Sequence, residues 1–77
     1  MKKIKEFDLV VLTKDLINNG LKEGDVGTVV DIHQNGEGFT VEFMTLDGQT
    51  VAVLTLLASD IRAIEKGEMS HSRSLAA

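Results

Sequence analysis

The chain has 77 residues, of which 12 are acidic and 8 are basic, for a formal net charge of −4, and it contains no cysteine. This length allows one domain with a small core, and the lack of cysteine excludes disulfides and thiolate metal sites. No apolar run approaches the length of a membrane span, and the basic N-terminus is not followed by the apolar stretch of a signal peptide. We therefore expect a cytoplasmic protein without membrane contact, and the acidic balance makes nucleic acid an unfavoured partner.

The first strand is predicted over residues 7–13, where a run of apolar and β-branched residues begins at Phe7. Residues 14–23 follow as a long loop, because Asn18, Asn19 and Gly20 form a turn signal. This loop contains apolar side chains that we expect to fold back onto the end of the sheet, namely Leu16, Ile17 and Leu21.

Residues 24–32 are the most informative stretch, because Gly24 and Gly27 lead into a run of β-branched residues. Glycine adopts backbone conformations that other residues resist, so a tight entry and a bulge or close backbone approach are expected here. The second strand is predicted over residues 26–33, and the glycines of residues 34–38 predict a hairpin loop after it.

The third strand, residues 39–45, alternates cleanly, with Phe39, Val41 and Phe43 on one face. Asp47 and Gly48 then form a strong hairpin signal before a fourth strand over residues 49–57. Residues 58–60 are expected to form a short turn of 3₁₀ type, and residues 61–64 a final strand. From residue 65 to residue 77 the sequence is polar and rich in serine, which predicts a tail.

Five short strands with glycine turns and a long first loop predict an all-β fold, a small five-stranded SH3-like barrel over residues 1–64, followed by the tail at 65–77. An OB fold is less suitable, since the tight turn at Asp47 and Gly48 leaves no room for a helix between the third and fourth strands. The predicted core contains Leu9, Val11, Val26, Val29 or Val30, Ile32, Phe39, Val41, Phe43, part of the fourth strand, and Ile61.

The strings at residues 8–13, 20–30, 41–43, 47–50 and 54–56 together resemble the bacterial family known as domain of unknown function 4926. The resemblance covers about residues 7–64. It implies no activity and no functional residues, because none are established for that family. The first two strands are also loosely similar to the KOW motif of ribosomal and transcription-elongation proteins, which concerns the architecture of the barrel.

Few residues of this chain suggest catalysis. His33 ends a strand beside a turn and His71 lies in the tail, so both are expected to be polar surface groups. No cysteine is present as a nucleophile, and no pair of carboxylates stands out as an acid and base couple. We therefore expect no enzymatic activity, no cofactor and no metal site.

The fourth strand is apolar on both faces, whereas antiparallel sheets usually expose a polar face. A two-residue turn would place Leu54 opposite Val41, and a type I turn with a glycine bulge would place Val53 there instead. In either case one apolar set faces outward and becomes a candidate interface, unless the tail or the first loop covers it. The candidate interface residues are Met44, Leu46, Val51, Val53, Leu54 and Leu56.

The sequence therefore predicts a non-enzymatic accessory module that binds a protein partner through the outer face of the third and fourth strands. A weak or moderate homodimer through the fourth strand is also expected. The alternative is a KOW-like module that binds RNA or associates with ribosomes. That alternative would need basic side chains such as Lys14, Lys22 and Arg62 to converge on one rim.

Overall fold

A computed structural model describes residues 3–75, so residues 1–2 of the predicted domain and 76–77 of the predicted tail lie outside the described residues. Five strands form in this part of the chain: β1 (Leu9–Leu12), β2 (Val26–His33), β3 (Gly38–Met44), β4 (Thr50–Leu57) and β5 (Ile61–Ala63). Three short 3₁₀ turns accompany them, at Ile17–Asn19, Gln34–Gly36 and Ala58–Asp60. The bounds of β2 and the last 3₁₀ turn agree with prediction, and the other strands shift or shorten by one or two residues at their ends.

All five strands belong to one antiparallel sheet in the order β4-β3-β2-β1-β5. The two edge strands, β4 and β5, are joined by only the three residues of the last 3₁₀ turn. In a flat sheet the edges would lie about 19 Å apart, whereas four residue steps reach about 14 Å at most. The sheet must therefore curve strongly. The predicted all-β class with five strands is confirmed.

The concave face of the sheet holds the core, and its centre is the inward face of β3. Phe43, Val41 and Phe39 are buried there, as the alternation predicted. A Cβ atom at Gly27 would lie 2.5 Å from Cγ1 of Val41 and 2.9 Å from the ring of Phe43. The expected close approach is thus present at the Gly27 backbone, where the side chains of Val41 and Phe43 occupy the space that a Cβ would need. The other members of the core cluster are Val10, Leu12, Leu21, Val29, Leu56 and Ile61.

The prediction that Leu9 faces the core is wrong, because its side chain is exposed. Val10 and Leu12 are the residues of β1 that join the core cluster. Val10 pairs with Gly27, so the inward direction of Gly27 fixes which side of β1 faces the core. All four residues of β1 are apolar, and such a run has no alternation that could indicate its buried side. Val11 is nevertheless buried, on the opposite face from Val10 and Leu12.

Val26 was also predicted to be in the core, but its side chain is exposed, as is that of Phe7, where the first strand was predicted to begin. Phe7 has a left-handed backbone with φ of 71°, just before β1 begins. It lies within a turn, in which the Asp8 carboxylate accepts the Lys5 N–H at 2.9 Å and the Asp8 N–H donates to the Lys5 C=O at 3.1 Å. This turn ends the extended backbone and directs the Phe7 ring to solvent.

The first loop folds back onto the end of the sheet, as expected. Leu16 and Leu21 form a bridge, in which each backbone N–H donates to the other residue's C=O at 2.9 and 3.2 Å. Leu21 is buried in the core and Leu16 packs against it, whereas Ile17 stays exposed on the 3₁₀ turn between them.

The contact at Gly27 predicts a large effect of one methyl group. Gly27→Ala sets a methyl group against the buried side chains of Val41 and Phe43 and should lower the free energy of unfolding by about 1–3 kcal/mol. Gly38→Ala is the matched control, because its Cβ would meet its nearest neighbours at an ordinary 3.7 Å. Denaturant unfolding of both variants measures the difference, and equal losses would contradict the tight packing.

Candidate interaction surface

The hairpin between β3 and β4 closes with a three-residue loop. The Thr45 N–H donates to the Gln49 C=O at 2.8 Å, and the Gly48 N–H donates to the Thr45 C=O at 3.0 Å. Gly48 has φ of 91°, which is the left-handed conformation of a glycine bulge after a type I turn. Continued without interruption, this turn would place Val53 opposite Val41.

An extra residue in β4 shifts that register by one residue. Met44 pairs with Thr50 but Phe43 pairs with Ala52, so Val51 has no partner of its own and forms a β-bulge. The observed register is therefore the one predicted from a two-residue turn, although the turn itself is of the other type.

The bulge decides which side chains of β4 face the core. Beyond it, Leu54 lies opposite Val41 and Leu56 opposite Phe39, so the even-numbered residues of β4 point inward. Val53, Thr55 and Leu57 point outward, because side chains alternate between the two faces of a strand.

The outer face of β3 and β4 exposes several large apolar side chains. Met44 is 47% exposed, Val53 54%, and Leu57 63%, while Leu46 at the tip of the hairpin is 90% exposed. Four apolar side chains on one hairpin, three of them on one face of the sheet, are more than scattered surface residues require. We call these four residues the outer patch.

The structure places the six predicted interface residues in three settings. Met44, Leu46 and Val53 belong to the outer patch. Val51 is partly buried at the bulge, while Leu54 and Leu56 point inward, so those two do not line the outer face. Leu57 was missing from the prediction, although its spacing of four residues from Val53 places it on the same face.

Polar groups separate Leu57 from the rest of the outer patch. His33 Nε2 lies 2.7 Å from Thr40 Oγ1, which in turn lies 3.4 Å from Thr55 Oγ1. The Asp31 carboxylate approaches the same His33 nitrogen at 3.8 Å. The Thr40 hydroxyl and the Asp31 carboxylate thus lie at the same ring nitrogen of His33. In a proton relay the hydroxyl and the carboxylate would bond to different ring nitrogens. This network links β2, β3 and β4 across the sheet.

The C-terminal segment lies at the other end of the sheet, where it contacts β5 and the residue before β2. Arg62 in β5 makes two hydrogen bonds to the Glu68 carboxylate, at 2.8 and 2.6 Å. Arg73 makes two to the Asp25 carboxylate, at 2.8 and 2.5 Å, and one to the Gly20 C=O at 3.1 Å. We call the two ion pairs, Arg62–Glu68 and Arg73–Asp25, the tail clamp.

The tail clamp explains why Val11 is buried on the outer side of β1. Val11 pairs with Arg62 on one side and with Val26 on the other, and Val26 follows Asp25 directly. The chain between Glu68 and Arg73 therefore crosses β1 at Val11, which is only 6% exposed. Met69 and Leu75, through which the tail could have covered β4, remain exposed. Within residues 3–75, neither the tail nor the first loop covers the outer patch.

The clamp shifts the ionisation of its carboxylates. The Arg62 guanidinium, aided by the Glu65 N–H, lowers the pKa of Glu68 from 4.5 to about 2. Hydrogen bonds from Arg73 likewise lower the pKa of Asp25 below its ordinary 3.8, against an opposing effect of partial burial. Both carboxylates are therefore charged and paired at neutral pH.

A second apolar surface lies at the inner side of the sheet, as an open groove of about 840 Å³. Its apolar lining comes from Ile4, Ile32, Phe39, Ile61 and Ile64, among others. Arg62 also lines the groove, but its guanidinium is held by Glu68. Lys3 and Glu65 line the groove as well, so its apolar surface is bordered by charges of both signs.

No group of three or more histidine, aspartate or glutamate side chains within residues 3–75 is arranged to hold a metal ion. In the same stretch of chain no helix has the length and apolar character needed to cross a membrane.

The fold and the outer patch define a small antiparallel β-domain with an uncovered apolar hairpin. The family model described as "Domain of unknown function (DUF4926)" matches residues 6–63, which span all five strands. The chain therefore belongs to this family, as its sequence strings predicted. No curated protein and no solved structure matches the chain significantly.

The tail clamp predicts a defined pH dependence. Because Glu68 has a lowered pKa in the folded state, its stabilisation is complete above about pH 4.5 and is lost as the pH falls through about 2. The difference in denaturation midpoint between the wild type and Glu68→Gln should thus be constant from pH 7 to about 5 and shrink below that. A difference that grows on acidification would contradict the ion pair.

Proposed function

We propose that this chain is a non-enzymatic interaction module that binds a protein partner through the outer face of β3 and β4. One observation carries the proposal: the outer patch stays exposed although the first loop and the C-terminal segment fold back elsewhere. Unlike Val11, which the tail clamp hides, Val53 is left in contact with water. Exposed apolar side chains grouped on one face typically mark a site of association.

The chemistry of the outer patch suits a protein surface. Met44 has a flexible and polarisable side chain that adapts to irregular partners. Around it lie polar groups, including Glu42, whose carboxylate accepts the Thr50 hydroxyl at 2.9 Å. An apolar centre with a polar rim is the usual composition of a protein interface.

A protein partner is favoured over RNA because two of the three side chains named for an RNA-binding rim, Lys14 and Arg62, are already paired, as is Arg73. Lys14 pairs with Asp60 at 3.3 Å, and Arg62 and Arg73 are held by the tail clamp. Phosphate binding would require breaking these pairs, in a chain that carries a net charge of −4. A cytoplasmic location accords with the absence of cysteine in all 77 residues.

Substitution of the outer patch tests the proposal. Met44→Glu and Val53→Glu place a charge on the exposed face, and either change should weaken capture of the partner at least about tenfold. Ile17→Glu is the matched control, since Ile17 is 85% exposed but lies on the first loop. Quantitative affinity capture from the native host compares the three variants with the wild type.

The expected result is a set of proteins retained by the wild type and by Ile17→Glu but lost with both outer-patch variants. Equal retention by all variants, with unchanged circular dichroism, would contradict the proposal. Salt-sensitive retention of RNA in a filter-binding assay, unaffected by Met44→Glu, would favour the RNA-binding alternative instead.

A further inference from the structure

The two edges of the sheet differ sharply in protection. β5 has only three residues and contains Arg62, and short or charged edge strands resist pairing with another chain. β4 has eight residues, Thr50–Leu57, with no charged residue and no proline among them. Within residues 3–75, β4 pairs only with β3, so its other side is a long, uncharged edge.

The core is also open along this edge. Phe43 and Val41 on β3 are fully buried, but the residues opposite them on β4, Ala52 and Leu54, are only partly buried. An added strand beside β4 would cover these two inward side chains. The same strand would satisfy the backbone groups that β4 directs away from β3.

Three residues carry those free backbone groups. The Ala58 N–H donates to the Glu37 C=O at 3.3 Å, and bonded pairs alternate along an antiparallel ladder. Ala52, Leu54 and Leu56 therefore direct their backbone groups to β3. Val53, Thr55 and Leu57 direct theirs to the open edge, where the Leu57 N–H already donates to the Asp60 carboxylate at 3.0 Å. The free groups are therefore the N–H and C=O of Val53 and Thr55 and the C=O of Leu57.

We infer that β4 pairs with β4 of a second copy of this chain, antiparallel, about a two-fold axis at Thr55. In this register Thr55 lies opposite its own copy and Val53 lies opposite Leu57 of the partner subunit. Thr55 then exchanges two backbone hydrogen bonds with its own copy, and the Val53 N–H of each chain donates to the Leu57 C=O of the other, while the Leu57 N–H keeps its bond to Asp60. The bulge at Val51 stays outside the new ladder, where it cannot disturb the pairing.

The side chains of β4 favour a second copy as the occupant. On the outer face, Val53 meets an apolar Leu57 and Thr55 meets a threonine, and on the inner face Leu54 meets a Leu56. No charge is buried and no like charges face each other within the strand, although the chain as a whole is acidic. The pairing brings Val53 and Leu57 of the outer patch together across the new ladder, and it leaves Met44 and Leu46 accessible to another partner.

A single cysteine tests the register, because the natural chain has none. Thr55→Cys would place two thiols on Cα atoms about 5.5 Å apart across the axis, within the range of a disulfide. Mild oxidation should convert this variant to a covalent dimer. Val53→Cys is the matched control on the same strand and face, since its two copies would lie about 13 Å apart along the strands and should not cross-link.

Sedimentation of the wild type provides the second readout, with a mass expected to rise from 8.4 kDa to twice that value as concentration increases. Thr55→Pro removes an edge-directed N–H without breaking the β3 ladder, so it should remain folded and monomeric. Met44→Glu should leave the dimer intact, which separates this inference from the proposed function. A wild-type monomer at millimolar concentration, or stronger cross-linking of Val53→Cys than of Thr55→Cys, would overturn it.

Discussion

The extra residue at Val51 is the constraint on which the surface of this protein depends. A one-residue change of register transfers every side chain of a strand to the other face of its sheet. Without the bulge, Val53 and Thr55 would face the core opposite β3, and Leu54 and Leu56 would face water. The bulge instead places two leucines against Phe39 and Val41 and leaves a threonine at the centre of the outer side of β4.

The same bulge connects the interior of the domain with its edge. Because Ala52, Leu54 and Leu56 bond to β3, the backbone groups of the alternate residues are left at the open side of the sheet. The opposite edge is protected from pairing in a different way, because β5 is short and the tail clamp holds the C-terminal segment beside it. One side of the sheet is thus closed by the chain itself, and the other side is available for association.

The sequence predicted the strands well where local signals were strong. Gly24, Gly27 and the β-branched residues after them predicted β2 with its observed bounds, and the alternation of Phe39, Val41 and Phe43 predicted the centre of the core. The phase of β1 could not be predicted from four consecutive apolar residues. It depends on Gly27, a long-range partner whose inward direction has no local signature in β1.

The candidate site was predicted only in part, for a similar reason. Turn residues such as Asp47 and Gly48 predict a hairpin, but a bulge at a valine within an apolar strand has no residue type that marks it. Both registers therefore stayed open, so Leu54 and Leu56 were candidates beside Val51 and Val53, and Leu57 was omitted. The pair of Arg73 with Asp25 joins residues 48 positions apart, and only the folded chain brings them together.

Amide hydrogen exchange along β4 tests the central claim most directly, namely that its register leaves one set of backbone groups open for pairing. In dilute solution the amides of Ala52, Leu54 and Leu56 should be protected, while those of Val53 and Thr55 exchange quickly. At high protein concentration the second set should become protected as well. Protection of Val53 and Thr55 at every dilution, or fast exchange of all five amides, would contradict the account.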